Sequence, residues 1–468
     1  MLLKYFYDPA LAQASYLIGC QACAEAIVID PGRDIAPYLA AAEREGLHIA
    51  HVTETHIHAD FVSGVRELAA TSGAQLYLSA EGGADWQYAY ADANTILLRD
   101  QDIISVGRVL IQTIHTPGHT PEHLIFSWTD TAGANQPMGL ITGDSLFVGD
   151  VGRPDLLETA AGIMGTKEAG ARDQFRNIQK LRAMPDYLQV LPGHGAGSAC
   201  GKALGAIPSS TLGYEKLFNP AFQFTDEDAF VAWLLDGQPE TPHYFARMKR
   251  MNKQGPALLE TLSAPERVEG FVVAEAAQHG WVIDARPADQ FAAGHLPGAL
   301  HIPSGSGFAG YAGWLIPDDI PDDQPVYLIT DEDALPGLLA ALRSVGIDHV
   351  EGWCAPSDIG GDLVTVAQTD PREAKRLLDA NSALLLDVRG ASERLEAQIA
   401  GSRHLHYGYL MAHVSDLPRD TPIIVQCAGG TRSMIAASIL QRAGLRHVVN
   451  LRGGIDAWQD AGLPVQTG

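Results

Sequence analysis

Thr55-His56-Ile57-His58-Ala59-Asp60-Phe61 decides how the first half of this chain is read. It is a His-x-His-x-Asp motif in which the next position, where a further histidine would complete a two-metal set, is phenylalanine. Three more short motifs follow at a distance: Thr116-Pro117-Gly118-His119-Thr120, Thr142-Gly143-Asp144 and Pro192-Gly193-His194-Gly195. A phenyl ring has no lone pair to give a cation, so half of a paired site is weakened and a single metal ion is expected.

Outward from these motifs the sequence alternates short strands and helices. Apolar runs predict strands at 15–20, 25–30, 48–54, 75–78, 109–114, 123–128, 138–142 and 187–191, and helical spacing predicts helices at 35–45, 64–72 and 172–184. Each metal-type motif lies just past a strand, where loops gather side chains from distant sequence. Two neutral imidazoles and one carboxylate on one side of a metal leave three positions open, the arrangement of non-haem Fe(II) oxygen chemistry. His56, His119 and Asp144 are the expected ligands of one Fe(II) per chain; zinc fits the same ligand types. His58, Asp60 and His194 are expected to surround and orient them. His51, His115 and His123 receive no role.

Size and composition bound the rest. A chain of 468 residues is too long for one core and predicts two to four domains. Acidic residues outnumber basic ones 56 to 32, a formal charge of −24, which argues against nucleic-acid and anionic-membrane partners. No apolar run reaches the roughly 20 residues that span a bilayer, and Met1 to Asp8 lacks the regions of a signal peptide, so a cytoplasmic location is expected. Five cysteines, Cys20, Cys23, Cys200, Cys354 and Cys427, are no disulfide framework. Cys20 and Cys23 form C-x-x-C without the second pair that a zinc site needs, and Cys23 is expected to be structural. Cys200, six residues beyond His194, is placed either to carry sulfane sulfur to the metal or to be buried as an apolar residue. Gly255-Pro256 marks a boundary.

The second half repeats itself. Val282-Ile283-Asp284-Ala285-Arg286 matches Leu385-Leu386-Asp387-Val388-Arg389, and Pro325 to Ile329 matches Pro422 to Gln426. Three domains are expected: 1–254, 255–360 and 361–468. In the last, Cys427-Ala428-Gly429-Gly430-Thr431-Arg432-Ser433 follows a strand and opens a helix. Backbone N–H groups of such a loop, Gly429, Gly430, Thr431 and Ser433 among them, face a sulfur anion at the positive end of the helix, which makes Cys427 a nucleophile. Arg432 adds a cation for an acceptor such as sulfite. Four residues separate Cys427 from Arg432, one fewer than in C-x5-R phosphatases, and the smaller ring suits sulfur better than phosphate. In the first repeat Thr330 stands at the cysteine position and Asp331-Glu332-Asp333 replaces the cationic loop, so that copy is expected to be an inactive scaffold or a wall for its neighbour.

With these motifs in view, the first ~240 residues resemble the persulfide dioxygenase branch of the metallo-β-lactamase superfamily: T-H-x-H-A-D, T-P-G-H-T-P, T-G-D-x-L and G-R-x-D appear at 55–60, 116–121, 142–146 and 152–155. Phe61 and the C-terminal C-x-x-G-x-R-S loop are similar to the subgroup fused to rhodanese domains, the CstB type. The resemblance implies an α/β multidomain protein, a metallo-β-lactamase αββα sandwich followed by two rhodanese-like α/β domains. It implies oxidation by O2 of a thiol persulfide (of glutathione, coenzyme A or bacillithiol type) to sulfite, sulfur transfer forming or using thiosulfate in sulfide detoxification, and a dimer or tetramer. It makes Arg153 a candidate for holding the carrier's carboxylate. The alternative is a zinc-dependent thioester hydrolase of glyoxalase II type carrying rhodanese domains.

Overall fold

Every residue of Gln13–Cys20 is buried, which marks a strand with both sheet faces covered. The structure, a computed structural model, describes residues 1–159, 164–318, 320 and 324–467. Contacts divide the chain into two units, Met1–Thr261 with Arg343–Gly346, and Leu262–Leu342 with Ile347–Gly468.

In the first unit, β1 (Leu2–Asp8), β2 (Gln13–Cys20), β3 (Glu25–Ile29), β4 (His48–Thr53), β5 (Gln75–Ser79) and β6 (Ile96–Leu98) form one sheet in that order. Pairing is antiparallel from β1 to β3 and parallel from β3 to β6. A second sheet contains β7 (Ile103–Val106), β8 (Val109–His115), β9 (Leu124–Asp130), β10 (Gly139–Gly143), β11 (Gln189–Pro192) and β12 (Ser210–Thr211). Tyr16, Ile18, Ile27 and Ile29 of the first sheet pack against Ile111, Phe126, Trp128 and Ile141 of the second. The outer faces are covered by helices Ala36–Arg44 and Val65–Ser72 on one side and Lys167–Arg182 and Glu227–Leu235 on the other. This is the αββα sandwich. The helix expected over 172–184 begins five residues earlier, and β1, β6, β7 and β12 lie outside the expected strands.

The boundary falls at Thr261/Leu262, beyond Gly255-Pro256, because residues 255–259 stay tied to helix Val65–Ser72. Arg66 donates to the carbonyls of Gly255 and Pro256 at 3.3 and 2.6 Å, and Leu259 N–H donates to Glu67 at 2.8 Å.

The second unit holds both repeats, each with its own parallel five-stranded sheet. The first contains β13 (Glu266–Arg267), β14 (Trp281–Asp284), β15 (Leu300–His301), β16 (Val326–Ile329) and β17 (Gly352–Cys354); the second contains β18 (Ala367–Thr369), β19 (Leu384–Asp387), β20 (Arg403–His404), β21 (Ile423–Gln426) and β22 (Val448–Leu451). Their strand orders are β13-β17-β16-β14-β15 and β18-β22-β21-β19-β20. The repeat extends to side chains: Arg286 forks onto Asp284 as Arg389 does onto Asp387, and His301 and His404 bond the carbonyls of Arg286 and Arg389. Among the described residues no helix is long and apolar enough to cross a membrane.

Candidate metal centre and reactive cysteine

His56 stands three residues past β4, and its imidazole is set by the residue before it. Thr55 Oγ1 donates to Asp30 at 3.1 Å and therefore accepts from His56 Nδ1 at 2.9 Å, leaving a lone pair on Nε2. His119 donates from Nδ1 to the Arg153 carbonyl at 2.9 Å, which leaves its Nε2 free to coordinate in the same way. Asp144 follows the bulge that ends β10. Gly143 there has φ +48°, and a Cβ would stand 2.6 Å from Thr55 Oγ1 and 2.7 Å from His123 Nε2, so no other residue admits this approach. His119 Nε2 lies 3.5 Å from Asp144 Oδ2. One ligand atom from each of His56, His119 and Asp144 lies within 4.8 Å of the others. His56 Nε2 and both Asp144 oxygens are buried without a hydrogen-bond partner among the described residues. Buried polar atoms are rarely left so, and two imidazole lone pairs with one carboxylate fit a single divalent cation. Burial holds His56 well below the usual histidine range and brings His119 down to about 3, so both are neutral, the form that coordinates metal.

The structure separates the three residues expected around this set. His58 gives its Nε2 to Asp30 at 3.1 Å; its ring lies 4.3 Å from that of Phe61 and 4.2 Å from that of His56, and its Nδ1 is buried without a partner among the described residues. Burial alone would lower its pKa, but Asp30 and Glu54 raise it to about 9; His58 is the cationic partner of Asp30. Asp60 and His194 instead join Cys200 in a second group whose ligand atoms also lie within 4.8 Å, with His194 Nε2 3.2 Å from Asp60 and 3.4 Å from Asp144.

Arg153 is buried, and all five of its N–H groups are engaged. Asp155 takes two at 2.8 and 2.6 Å, and Ala199 O, Pro239 O and Thr241 Oγ1 take the others at 3.2, 2.8 and 3.2 Å. No donor remains for a carrier carboxylate; Arg153 acts through its carbonyl, which fixes His119. Asp155, two residues on, is the sequence signal of this pairing.

Three residues missed in the sequence hold the ligand loops. His123 Nε2 accepts from Asp144 N–H at 3.0 Å while its Nδ1 bonds Thr116 Oγ1 at 2.9 Å. Glu122 accepts from Ile57 N–H at 2.8 Å. Asn252 donates to the carbonyls of His58 and Phe61 at 2.8 and 2.7 Å. His123→Ala is expected to weaken metal affinity about 10–100-fold, the usual cost of losing a group that orients a ligand; titration with Fe(II) or Zn(II) under a competing chelator checks it.

Beside Ile57 opens a cavity of about 440 Å³ lined by Trp86, Lys249, Arg250 and Lys253, with Asp85 opposing them. Lys249 Nζ sits 3.9 Å over the Trp86 ring. In a chain with a formal charge of −24, three cations around one recess form an anion-attracting spot.

In the last domain Cys427 directly follows β21 and is buried. Gly430 N–H donates to its Sγ at 3.1 Å, and Ser433 Oγ is 3.5 Å away. The loop closes because Gly430 adopts φ +109° and Ile455 N–H holds the Cys427 carbonyl at 2.8 Å. Thr431 and Arg432 open helix Thr431–Arg442. Arg432 is not held ready for an acceptor: both arms grip Glu393 at 2.6 and 2.7 Å. At the matching place in the first repeat, Thr330 leads into the acidic turn Glu332–Ala334. Trp314 of that repeat packs on His406 and Tyr409, with ring centroids 4.9 and 5.4 Å apart, so the first repeat buttresses the second.

The metallo-beta-lactamase superfamily model matches residues 8–194, and the rhodanese-like domain model matches 272–350 and 370–461. The mitochondrial persulfide dioxygenase ETHE1 of Homo sapiens is 27% identical over 231 residues, 49% of this chain and 78% of that protein. Hydroxyacylglutathione hydrolase of Rhodospirillum rubrum is 32% identical over 179 residues, 38% of this chain and 60% of that one; the match thus spans less than two thirds of the hydrolase. A crystal structure of a metallo-beta-lactamase from Staphylococcus aureus subsp. aureus COL is 41% identical with a TM-score of 0.68, covering 76% of this chain and 99% of that one.

Proposed function

The chain belongs to the metallo-β-lactamase superfamily and continues into two rhodanese-like domains, and from that premise we propose that it is a persulfide dioxygenase joined to a sulfurtransferase. It oxidises a low-molecular-weight thiol persulfide to sulfite with O2 at one ferrous ion and exchanges sulfane sulfur at Cys427. One observation carries this reading: one ligand atom from each of His56, His119 and Asp144 lies within 4.8 Å of the others, with His56 Nε2 and both Asp144 oxygens lacking a hydrogen-bond partner among the described residues, whereas His58 Nε2 is taken by Asp30 and its ring lies against Phe61. Ferrous iron bound there would supply vacant positions for O2 and a sulfur anion. The chain's own part is to hold the two imidazoles in one tautomer, through Thr55 and the Arg153 carbonyl, and to keep the site dry.

The recess beside Ile57 supports an anionic carrier, since glutathione, coenzyme A and bacillithiol all bear carboxylates or phosphates. Burial pulls Lys249 down to about 7, against the opposing pull of Glu122. Its charge is present below that pH and lost above it, so carrier binding weakens as pH rises through 7. The expected result is a KM for persulfide that climbs across pH 6.5–8 in the wild type. In Lys249→Arg the rise is absent, because guanidinium stays charged; steady-state O2 uptake against pH measures both.

At Cys427 the thiolate attacks the outer sulfur of RSSH, releasing RSH and leaving a cysteine persulfide. Sulfite then attacks that outer sulfur, giving thiosulfate and the thiolate again. The deciding experiment is O2 consumption by iron-loaded protein with glutathione and coenzyme A persulfides, with sulfite and thiosulfate quantified. Metal-loaded protein that takes up no O2 with any persulfide overturns the proposal. A second reading, a zinc-dependent thioester hydrolase, is favoured by the Asp60–His194–Cys200 group, which offers donors for a second ion. It requires two zinc ions per chain and thioester turnover without O2.

A further inference from the structure

Cys20 and Cys23 lie in the turn between β2 and β3, and neither is used by the metal centre or by Cys427. Cys23 N–H donates to the Cys20 carbonyl at 3.1 Å, a β-turn whose first and fourth Cα atoms stand less than about 7 Å apart. Disulfides bridge Cα separations of roughly 4.4–6.8 Å. Both sulfurs rest on Gly107 of the β7–β8 hairpin: a Cβ there would stand 2.7 Å from Cys23 Sγ and 2.8 Å from Cys20 Sγ. The pair therefore shares one niche, which exists because residue 107 has no side chain. The next residue, Arg108, donates its backbone N–H to Cys20 Sγ at 3.3 Å. Cys23 is exposed and Cys20 is buried beneath it. The donated N–H lowers the Cys20 pKa, and the neighbouring Cys20 sulfur raises that of Cys23.

We propose that this C-x-x-C turn is a second sulfur-reactive site, a dithiol that accepts sulfane sulfur from a persulfide or polysulfide and closes to a disulfide. Cys23 thiolate attacks the outer sulfur of RSSH and releases RSH, leaving a Cys23 persulfide. Cys20 thiolate attacks the inner sulfur of that persulfide, the S–S bond breaks, and hydrosulfide leaves. Two thiols are oxidised to one disulfide, the sulfane sulfur is reduced to sulfide, and no other oxidant is needed. Closure welds the β2–β3 turn and records excess sulfane sulfur in the protein itself.

The test uses the full-length, metal-loaded protein and sodium tetrasulfide without air, followed by thiol alkylation and mass analysis of the tryptic peptide Tyr5 to Arg33, which holds both cysteines. The expected peptide is about two mass units lighter than the dithiol and resists alkylation until reduced. Cys23→Ser, an exposed near-isosteric change, abolishes that loss while leaving O2 uptake unchanged. Full alkylation of both cysteines after tetrasulfide, or a sulfur adduct that stays on Cys23 with Cys20 free, overturns the proposal. The readout needs neither iron nor O2, so failure of the dioxygenase reading would leave it standing.

Discussion

Asp144→Ala is expected to abolish both metal retention and O2 uptake while sulfur transfer at Cys427 continues. Asp144 is the carboxylate of the His56–His119 set, its Oδ1 also faces His194 at 3.4 Å, and it is fully buried. Removing it takes away the anion that offsets the cation's charge and leaves two imidazoles, too few for tight binding. Residual activity below about 1% of wild type is expected, beyond the 10–100-fold cost of losing a group that merely orients a ligand. Metal content, O2 uptake and thiosulfate–cyanide sulfurtransfer should be measured on one preparation. Loss of sulfurtransfer alongside the metal would mean that the substitution unfolds more than its own site.

Cys427→Ser is the complementary result: sulfurtransfer falls to the uncatalysed rate, O2 uptake persists and sulfite accumulates in place of thiosulfate. A hydroxyl in this loop keeps the N–H donation from Gly430 but cannot form a persulfide. The effect is all-or-none because no other described residue of that loop has a sulfur. If O2 uptake falls with it and the metal stays bound, sulfur runs the other way, from thiosulfate through Cys427 to the oxidising centre.

Much of this was legible in the sequence because strands announce themselves by apolar runs and because loops after strands carry chemistry. The motifs alone name His56, His119 and Asp144 as expected ligands, and one ligand atom from each lies within 4.8 Å of the others. The phenylalanine at 61 was read as a missing ligand; the fold adds that its ring also holds His58 against Asp30. What stayed hidden acts through the backbone. Asn252 reaches the His58 and Phe61 carbonyls from a helix more than 190 positions away, and no local pattern marks such a contact. The Arg432–Glu393 pair joins residues 39 apart, so the motif showed a cation but not its partner. Lys249 and Trp86 belong to no motif, and only the fold sets one over the other.

The ligands come from two layers. His56 leaves the first sheet after β4, while His119 and Asp144 follow strands β8 and β10 of the second. A cation gripping all three would be a rivet through the sandwich, fixing one layer to the other at the loop end. Metal affinity and thermal resistance are then one equilibrium seen twice: each hundredfold excess of free ion over its Kd adds about 2.7 kcal/mol to the folded state. Stripping the ion with a chelator should lower the melting temperature of this domain and leave that of the rhodanese pair where it was.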